Sequence, residues 1–443
     1  MNTPQAGART ITGRKILLCT YGTRGDVEPI LALALGLQRA GFDVLLATSE
    51  RFQRWIEQHG VRAFAMSDAS LAQIESADGR AMLEGGHLLK RICAGIRLYQ
   101  KSGPINDTLM RQTWAAAQAF SPDLIVYHAK LFAAPHVAEA LKVPAVMATL
   151  QPVVVPTAAF PAMGLPRLKL PGYNRWSYRL VRRSFGVFRK AINRFRRTHL
   201  GLGPVSTARH VLFPPGAGLI PVLHAYSQHV IPRPADWPAS AHTTGYWRLG
   251  DHANYTPDPA LDAFLSAGPA PVFVGFGSMT SVDPKSLGAL VIGALRKAGQ
   301  RGIIAKGWAD LEIAAADDII GIEATPYAWL FPRMAAVVHH GGAGTTAEGF
   351  YAGAPCVICP FFGDQPGWAD VSVKLGVGAG PVPRRTLTVD RLATAIEEAV
   401  ASARHRAHAR RLAEALHAED GVGNAVSLIC DRIDAETGAT HTD

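Results

Sequence analysis

Cysteine is scarce: five residues in 443, an odd number thinly spread, which argues against a disulfide framework and predicts reduced thiols. Charge is thin as well. At 18% Asp, Glu, Lys and Arg against 48% hydrophobic residues, the chain is too apolar to be disordered. Long unbroken apolar runs are missing. The most apolar stretch, 143–166, is interrupted by Pro144, Pro152, Pro156 and Pro161, which excludes a spanning helix, and residues 1–14 hold no apolar core of a signal peptide. The expectation is a cytoplasmic globular protein. Acidic residues are the minority, 35 against 45 Lys and Arg, so the net charge of +10 favours an anionic partner without choosing one. Cys356-Val-Ile-Cys359 has redox or zinc spacing, but its apolar surroundings and the lack of a second ligand pair make it a buried strand.

What is present is alternation. Strand patterns at 15–20, 43–48, 61–66, 123–128 and 143–148 are separated by helical spacing at 28–40, 50–59, 88–120 and 132–141. A second series has strands at 271–276, 302–306, 319–323, 335–340 and 354–360, with helices at 284–298, 345–352, 368–375 and 389–401. Between them, Pro232, Pro234 and Pro238 mark a linker without periodicity. The chain therefore divides into residues 1–230, a linker at 231–249 and residues 250–443, the final helix packing back on the first domain. Each half is an α/β, Rossmann-like domain with a parallel sheet, and ligands belong beyond the carboxyl ends of its strands.

The strongest local signal is His339-His-Gly-Gly-Ala-Gly-Thr-Thr346, a strand running through glycines into a helix. Free N–H groups and the positive helix end converge there, and phosphate is the natural occupant. Gly341, Gly342 and Gly344 admit a close anion, Thr345 adds a hydroxyl, and His340 can donate from its ring. Gly275-Phe-Gly-Ser278 repeats the design after an earlier strand, with Ser278 as a further donor. Asp364 and Gln365, at the end of another strand, suit sugar hydroxyls, or else cap the following helix. In the first half, Gly22-Thr-Arg-Gly-Asp26-Val-Glu-Pro29 joins strand to helix. Asp26 there is either a general base for a hydroxyl or the N-cap of that helix.

Together these motifs resemble the inverting nucleotide-sugar glycosyltransferases of the GT-B fold, within the UDP-glycosyltransferase family and its sterol glucosyltransferase-like and antibiotic-decorating members. The resemblance implies two facing Rossmann-like domains with the active site in the cleft between them. By it, Asp26 is the catalytic base, while Ser278, His340, Gly342, Gly344 and Thr345 hold the donor diphosphate. Asp364 and Gln365 hold the sugar, and Glu348 matches a carboxylate that binds ribose. Where plant-type members carry a Trp and a Gln for the nucleotide base, this chain reads Glu323-Ala-Thr-Pro326, so Trp308 and the backbone near Tyr327 take that role as weak substitutes. No cofactor is implied: the UDP- or TDP-sugar is a co-substrate, and with no Asp-x-Asp near the phosphate turns the expected chemistry is metal-independent.

The apolar, Pro-rich stretch 153–165 suits a greasy acceptor pocket, with Val153 and Phe160 as lining residues and His128 as a further cleft residue. A sterol, terpenoid or polyketide alcohol is the expected acceptor. Between Arg175 and Arg197, nine cations interleave with aromatics and no acid. That segment is either a solvated helix face or a peripheral contact with an anionic membrane; nucleic acid is not expected, since no reading motif accompanies the charge. The competing readings are a GT-B epimerase, a lipid glycosyltransferase and a catalytically silent nucleotide-sugar binder.

Overall fold

A computed structural model of the chain describes residues 13–76, 88–250, 255–277, 284–306, 317–323 and 325–439. Seven parallel strands build the first sheet: β1 Lys15–Cys19, β2 Asp43–Ser49, β3 Arg62–Met66, β4 Leu124–His128, β5 Ala145–Thr149, β6 Val222–His224 and β7 Ala241–Thr243. They lie in the order β3-β2-β1-β4-β5-β6-β7. Five more, β8 Val272–Gly275, β9 Gly302–Ala305, β10 Ile319–Ile322, β11 Ala336–His339 and β12 Cys356–Ile358, form a second parallel sheet in the order β10-β9-β8-β11-β12. The central strands are buried throughout, as helix-covered parallel sheets require, and this is why β4 and β5 read as nearly continuous apolar runs.

In both sheets the strand order reverses beside the first strand, between β1 and β4 and between β8 and β11. Chains leaving these neighbours turn to opposite faces and open a crevice at the carboxyl ends, where ligands settle. The loops after β1, β8 and β11 carry three of the motifs, and the loop after β12 carries the fourth, Asp364–Gln365.

One boundary differs from the sequence reading. β7 lies inside the expected 231–249 linker and completes the first sheet by pairing with β6. Arg233 secures this stretch by donating to the carbonyls of Ala241, Trp237 and Pro238. A three-residue strand among prolines is too short to show periodicity. The crossing to the second lobe follows β7. There Tyr246 packs edge-on against Tyr351, and Asn424 donates to the Thr244 carbonyl across 2.9 Å. The chain then returns beside that crossing: a Cβ on Gly421 would stand 2.3 Å from the Tyr246 carbonyl oxygen.

The last helix, Gly421–Ala439, lies on the first, Arg24–Arg39. Ala425, Ile429 and Ile433 join Ile30, Leu33 and Leu37 in one buried cluster. Each large aliphatic side chain so buried stabilises by about 1.5–3 kcal/mol. Cys356 and Cys359 are likewise buried and separate, with burial pushing both thiols up to about 12, so the Cys-x-x-Cys spacing reflects a core strand.

Candidate active site

The helix Arg24–Arg39 starts four residues earlier than apolar periodicity suggested, and Thr23, not Asp26, is its N-cap. Asp26 occupies the third helical position, where its carboxylate reaches back. The Thr23 N–H donates to Asp26 Oδ2 at 2.9 Å and the Thr23 hydroxyl at 3.2 Å. That is one arm of a capping box, built with an Asp. The other oxygen, Oδ1, accepts from Lys130 Nζ at 2.6 Å. Lys130 lies two residues beyond β4, so both sides of the switch point meet at this carboxylate. Burial works to raise the Asp26 pKa, but the charge of Lys130, with His128 and the bonds from Lys130 and Thr23, carries it below the usual carboxylate value. Asp26 is therefore a carboxylate at neutral pH.

His128, the last residue of β4, faces the same charges. Burial and then Lys130 lower its pKa to about 4 against the opposing pull of Asp26, and its Nδ1 is buried without a hydrogen-bond partner among the described residues. His136, by contrast, is structural: its ring bridges the Val211 carbonyl and the buried Arg196 guanidinium.

In the second lobe, β11 ends at His339, and the helix Ala343–Tyr351 begins with Gly342 as an N-cap that has no side-chain cap. The N–H groups of Ala343, Gly344 and Thr345 belong to the first turn, which has no helical acceptor for them. Thr346 turns inward, its N–H and hydroxyl both bonding the Gly342 carbonyl at 2.9 Å. Gly341 adopts φ +91°, and a Cβ there would press to 2.7 Å on Ile358. Gly344 is different, because a Cβ would meet nothing within 4 Å, so the space beside this turn is open.

His340 stands between the two glycine turns. A Cβ at Gly277 would lie 3.0 Å from its Cε1, and one at Gly342 would lie 2.6 Å from its Nε2. Burial, outweighing a contact with the Gly275 main chain, lowers its pKa to about 4. The ring is neutral at pH 7 and carries one N–H to donate. Ser278 and Trp308 lie outside the described residues.

The remaining expectations divide. Gln365 Oε1 accepts from the N–H groups of Phe361 and Phe362 at 2.8 and 3.1 Å, which leaves its amide nitrogen as the group able to serve a ligand. Asp364 Oδ2 accepts from Trp368 Nε1 at 2.9 Å and, across the cleft, from Gln151 Nε2 at 3.1 Å. Glu348 meets Arg248 in a two-pronged fork of 2.9 and 3.0 Å, and that guanidinium covers the Tyr351 ring at 4.0 Å. The carboxylate expected to face ribose thus also ties the crossing chain to the second lobe. Tyr327 stacks on Phe331, so its ring already has a packing partner.

Val153 and Phe160 are half-buried in a loop without regular structure that runs from β5 toward the second lobe. Here the lobes touch. Gly164 lies against Gly363, where a Cβ would be 3.3 Å from its carbonyl oxygen, Met163 against Gly367, and Arg167 pairs with Asp370 at 3.0 Å. The expected acceptor wall and sugar-holding turn therefore share one edge of the cleft. Sequence reasoning missed Lys130, Gln151 and Arg248. A polar residue just past a strand's carboxyl end was the available signal for the first two, and for Lys130 that strand flanks the switch point.

The basic segment is more structural than its composition suggests. Arg196 is buried in a fork with Glu139, Arg194 pairs with Asp107, Arg175 with Asp236, and Arg182 donates to the Val154 carbonyl. Arg179, Arg183, Lys190 and Arg197 are exposed, and so are Leu168, Leu170, Trp176, Leu180 and Val187 nearby.

Residues 16–160 match the model of the glycosyltransferase family 28 N-terminal domain, and residues 305–427 that of the erythromycin biosynthesis protein CIII-like C-terminal domain. The sterol 3-beta-glucosyltransferase UGT80B1 of Arabidopsis thaliana is 33% identical over 426 residues, 94% of this chain and 68% of that protein. The chain belongs to the UDP-glycosyltransferase family. A second Arabidopsis member, sterol 3-beta-glucosyltransferase UGT80A2, is 33% identical over 93% of this chain and 64% of its own length. The sterol 3-beta-glucosyltransferase of Aspergillus clavatus is 35% identical over 94% of this chain, which spans only 29% of that protein. Among solved structures, the glycotransferase of kitacinnamycin superposes with a TM-score of 0.71 at 18% identity, covering 95% of this chain and 99% of its own. The glycosyltransferase VinC, in complex with DTDP, gives 0.67 at 18% identity, covering 95% and 100%. The family and the GT-B fold implied by the motifs are thus borne out.

Proposed function

We propose that this chain is an inverting glycosyltransferase that moves a hexose from a UDP- or TDP-sugar to a hydroxyl of a lipophilic small molecule, a sterol in the first instance. The observation that carries this reading is the pairing of two strand-to-helix turns at the two switch points, one holding a carboxylate and one left uncapped. The named activities of the relatives favour a sterol and glucose, and the DTDP bound to VinC favours a nucleoside diphosphate donor.

In this mechanism the acceptor hydroxyl gives its proton to Asp26 while its oxygen bonds to the anomeric carbon. The bond from that carbon to the diphosphate breaks on the opposite face, so the configuration inverts. The N–H groups of Ala343, Gly344 and Thr345, the Thr345 hydroxyl and the His340 ring N–H stabilise charge on the departing diphosphate, with Ser278 assisting. Asp364 and the Gln365 amide orient the sugar, Glu348 serves the ribose with lone pairs its fork to Arg248 leaves over, and Val153 and Phe160 line the acceptor pocket. Product analysis with UDP-glucose and cholesterol tests the reading: a β-glucoside is expected, and an α-glucoside overturns it. A thermal-shift panel of UDP- and TDP-sugars identifies the donor, because a ligand that binds only the folded state raises its melting point.

We further propose a peripheral contact with anionic membrane, made by exposed Leu168, Leu170, Trp176, Leu180 and Val187 with the cations Arg179, Arg183 and Lys190 around them. No helix among the described residues is long and apolar enough to cross a membrane. Flotation with phosphatidylserine vesicles should carry the protein upward, and Trp176→Ser with Leu170→Ser should leave it at the bottom. Equal flotation of wild type and variant removes this contact.

A further inference from the structure

We infer that Lys130 is a positioning residue for the proton-transfer step: it holds the buried Asp26 carboxylate ionised, fixes its orientation, and so determines which oxygen receives the proton. The inference rests on the proposed role of Asp26 as base and deepens it.

Asp26 is only 11% exposed at its side chain, a setting that favours the neutral acid and would cost a base its charge. Three sets of groups face it. On its own turn, Thr23 supplies an N–H and a hydroxyl to Oδ2; from the end of β4 comes His128, neutral because it is buried; and from the loop beyond comes the ammonium of Lys130, on Oδ1. Among the described residues, Lys130 is therefore the full positive charge that is hydrogen-bonded to this carboxylate.

Gly22 supports the same assignment independently. It has φ +146°, and a Cβ there would fall 2.1 Å from Asp26 Oδ2 and 2.8 Å from Lys130 Nζ. The turn before the helix is thus hollowed for the ion pair as a unit, since any side chain at position 22 would occupy the place where it sits.

The division of oxygens follows. Each carboxylate oxygen has two lone-pair sites. Those on Oδ2 are taken by Thr23, while among the described residues Oδ1 accepts only from Lys130, so one site remains for an acceptor hydroxyl. Lys130 is 51% exposed, so it approaches from the solvent side and can stay on Oδ1 as the proton arrives.

The test is titration of the Asp26 carboxyl by carbon-13 NMR in the whole chain labelled at Asp, with Asp26→Asn used to assign the signal. In Lys130→Met the midpoint should rise by about 1–3 pH units, the shift a neighbouring opposite charge commonly causes, and Lys130→Arg should restore it. The acidic limb of kcat/KM with UDP-glucose and cholesterol should move upward in parallel. A lysine that merely braces the loop would lower activity without moving midpoint or limb, and an unmoved midpoint in both Lys130→Met and Lys130→Gln overturns the inference. If Asp26→Asn instead keeps full turnover, the base assignment fails while the midpoint still reports on Lys130.

Discussion

The turn after β1 and the turn after β11 are the same piece of architecture put to opposite uses. Each runs from the carboxyl end of a central parallel strand at a switch point into a helix, with glycines in left-handed conformations along the way: Gly22 in the first, Gly341 in the second. In the first, the helix end is occupied from within, because Asp26 reaches back to Thr23 and is clamped by Lys130. In the second, Gly342 offers no side chain and the space beside Gly344 is open. A helix N-terminus stabilises one negative charge at close range. Supplying that charge from the chain fixes a carboxylate in place; withholding it leaves room for an anion that arrives and departs.

Four measurements break or sharpen this contrast. Asp26→Asn removes the proposed base and should lower turnover by about 10²–10⁴-fold while nucleotide binding, followed by calorimetry with UDP, stays as it was. Gly22→Ala drives a methyl into the Asp26–Lys130 pair at a strained φ, and should cost about 1–3 kcal/mol in chemical unfolding together with much of the activity. Gly344→Asp makes the second turn resemble the first. UDP affinity should fall by roughly tenfold, while the melting temperature should rise slightly, because a carboxylate in the first helical turn adds about 0.3–1 kcal/mol. An affinity that held would mean the diphosphate binds elsewhere.

The smallest effect concerns pH. His128 and His340 sit at about 4 and His136, His224 and His339 at about 3, all lowered chiefly by burial. An unfolded histidine titrates near 6.5. Below that the unfolded chain binds more protons than the folded one, so stability should decline steadily from about pH 6.5 toward pH 4. Depressed Asp26 adds stability above its unfolded value that is lost only at lower pH, as its folded carboxylate protonates. A melting temperature flat over that range would mean that the buried histidines are hydrated.

Much of the layout could be read from the sequence, because helix-covered parallel strands announce themselves as short apolar runs and glycine-rich turns follow them. The glycine turn at 341–344 was legible for that reason, and so was a carboxylate at position 26. What the pattern could not carry was partnership across distance. Lys130 meets Asp26 over 104 residues of sequence, and Gln151 meets Asp364 over 213. No periodicity encodes such pairs; the strand order does. The basic segment misled for a related reason, since Glu139, Asp107 and Asp236, which neutralise Arg196, Arg194 and Arg175, all lie outside it. β7 went unread because three residues give no repeat to detect.

The two adjacent passages of chain between the lobes, one at Gly245–Tyr246 and the other at Gly421, lie together like the two ends of a splice. They run backbone against backbone: a Cβ on Gly245 would stand 2.9 Å from the Cα of Gly421, so neither position has room for a side chain. Any larger residue at either glycine would therefore act as a wedge, prying apart the splice through which the two lobes are joined.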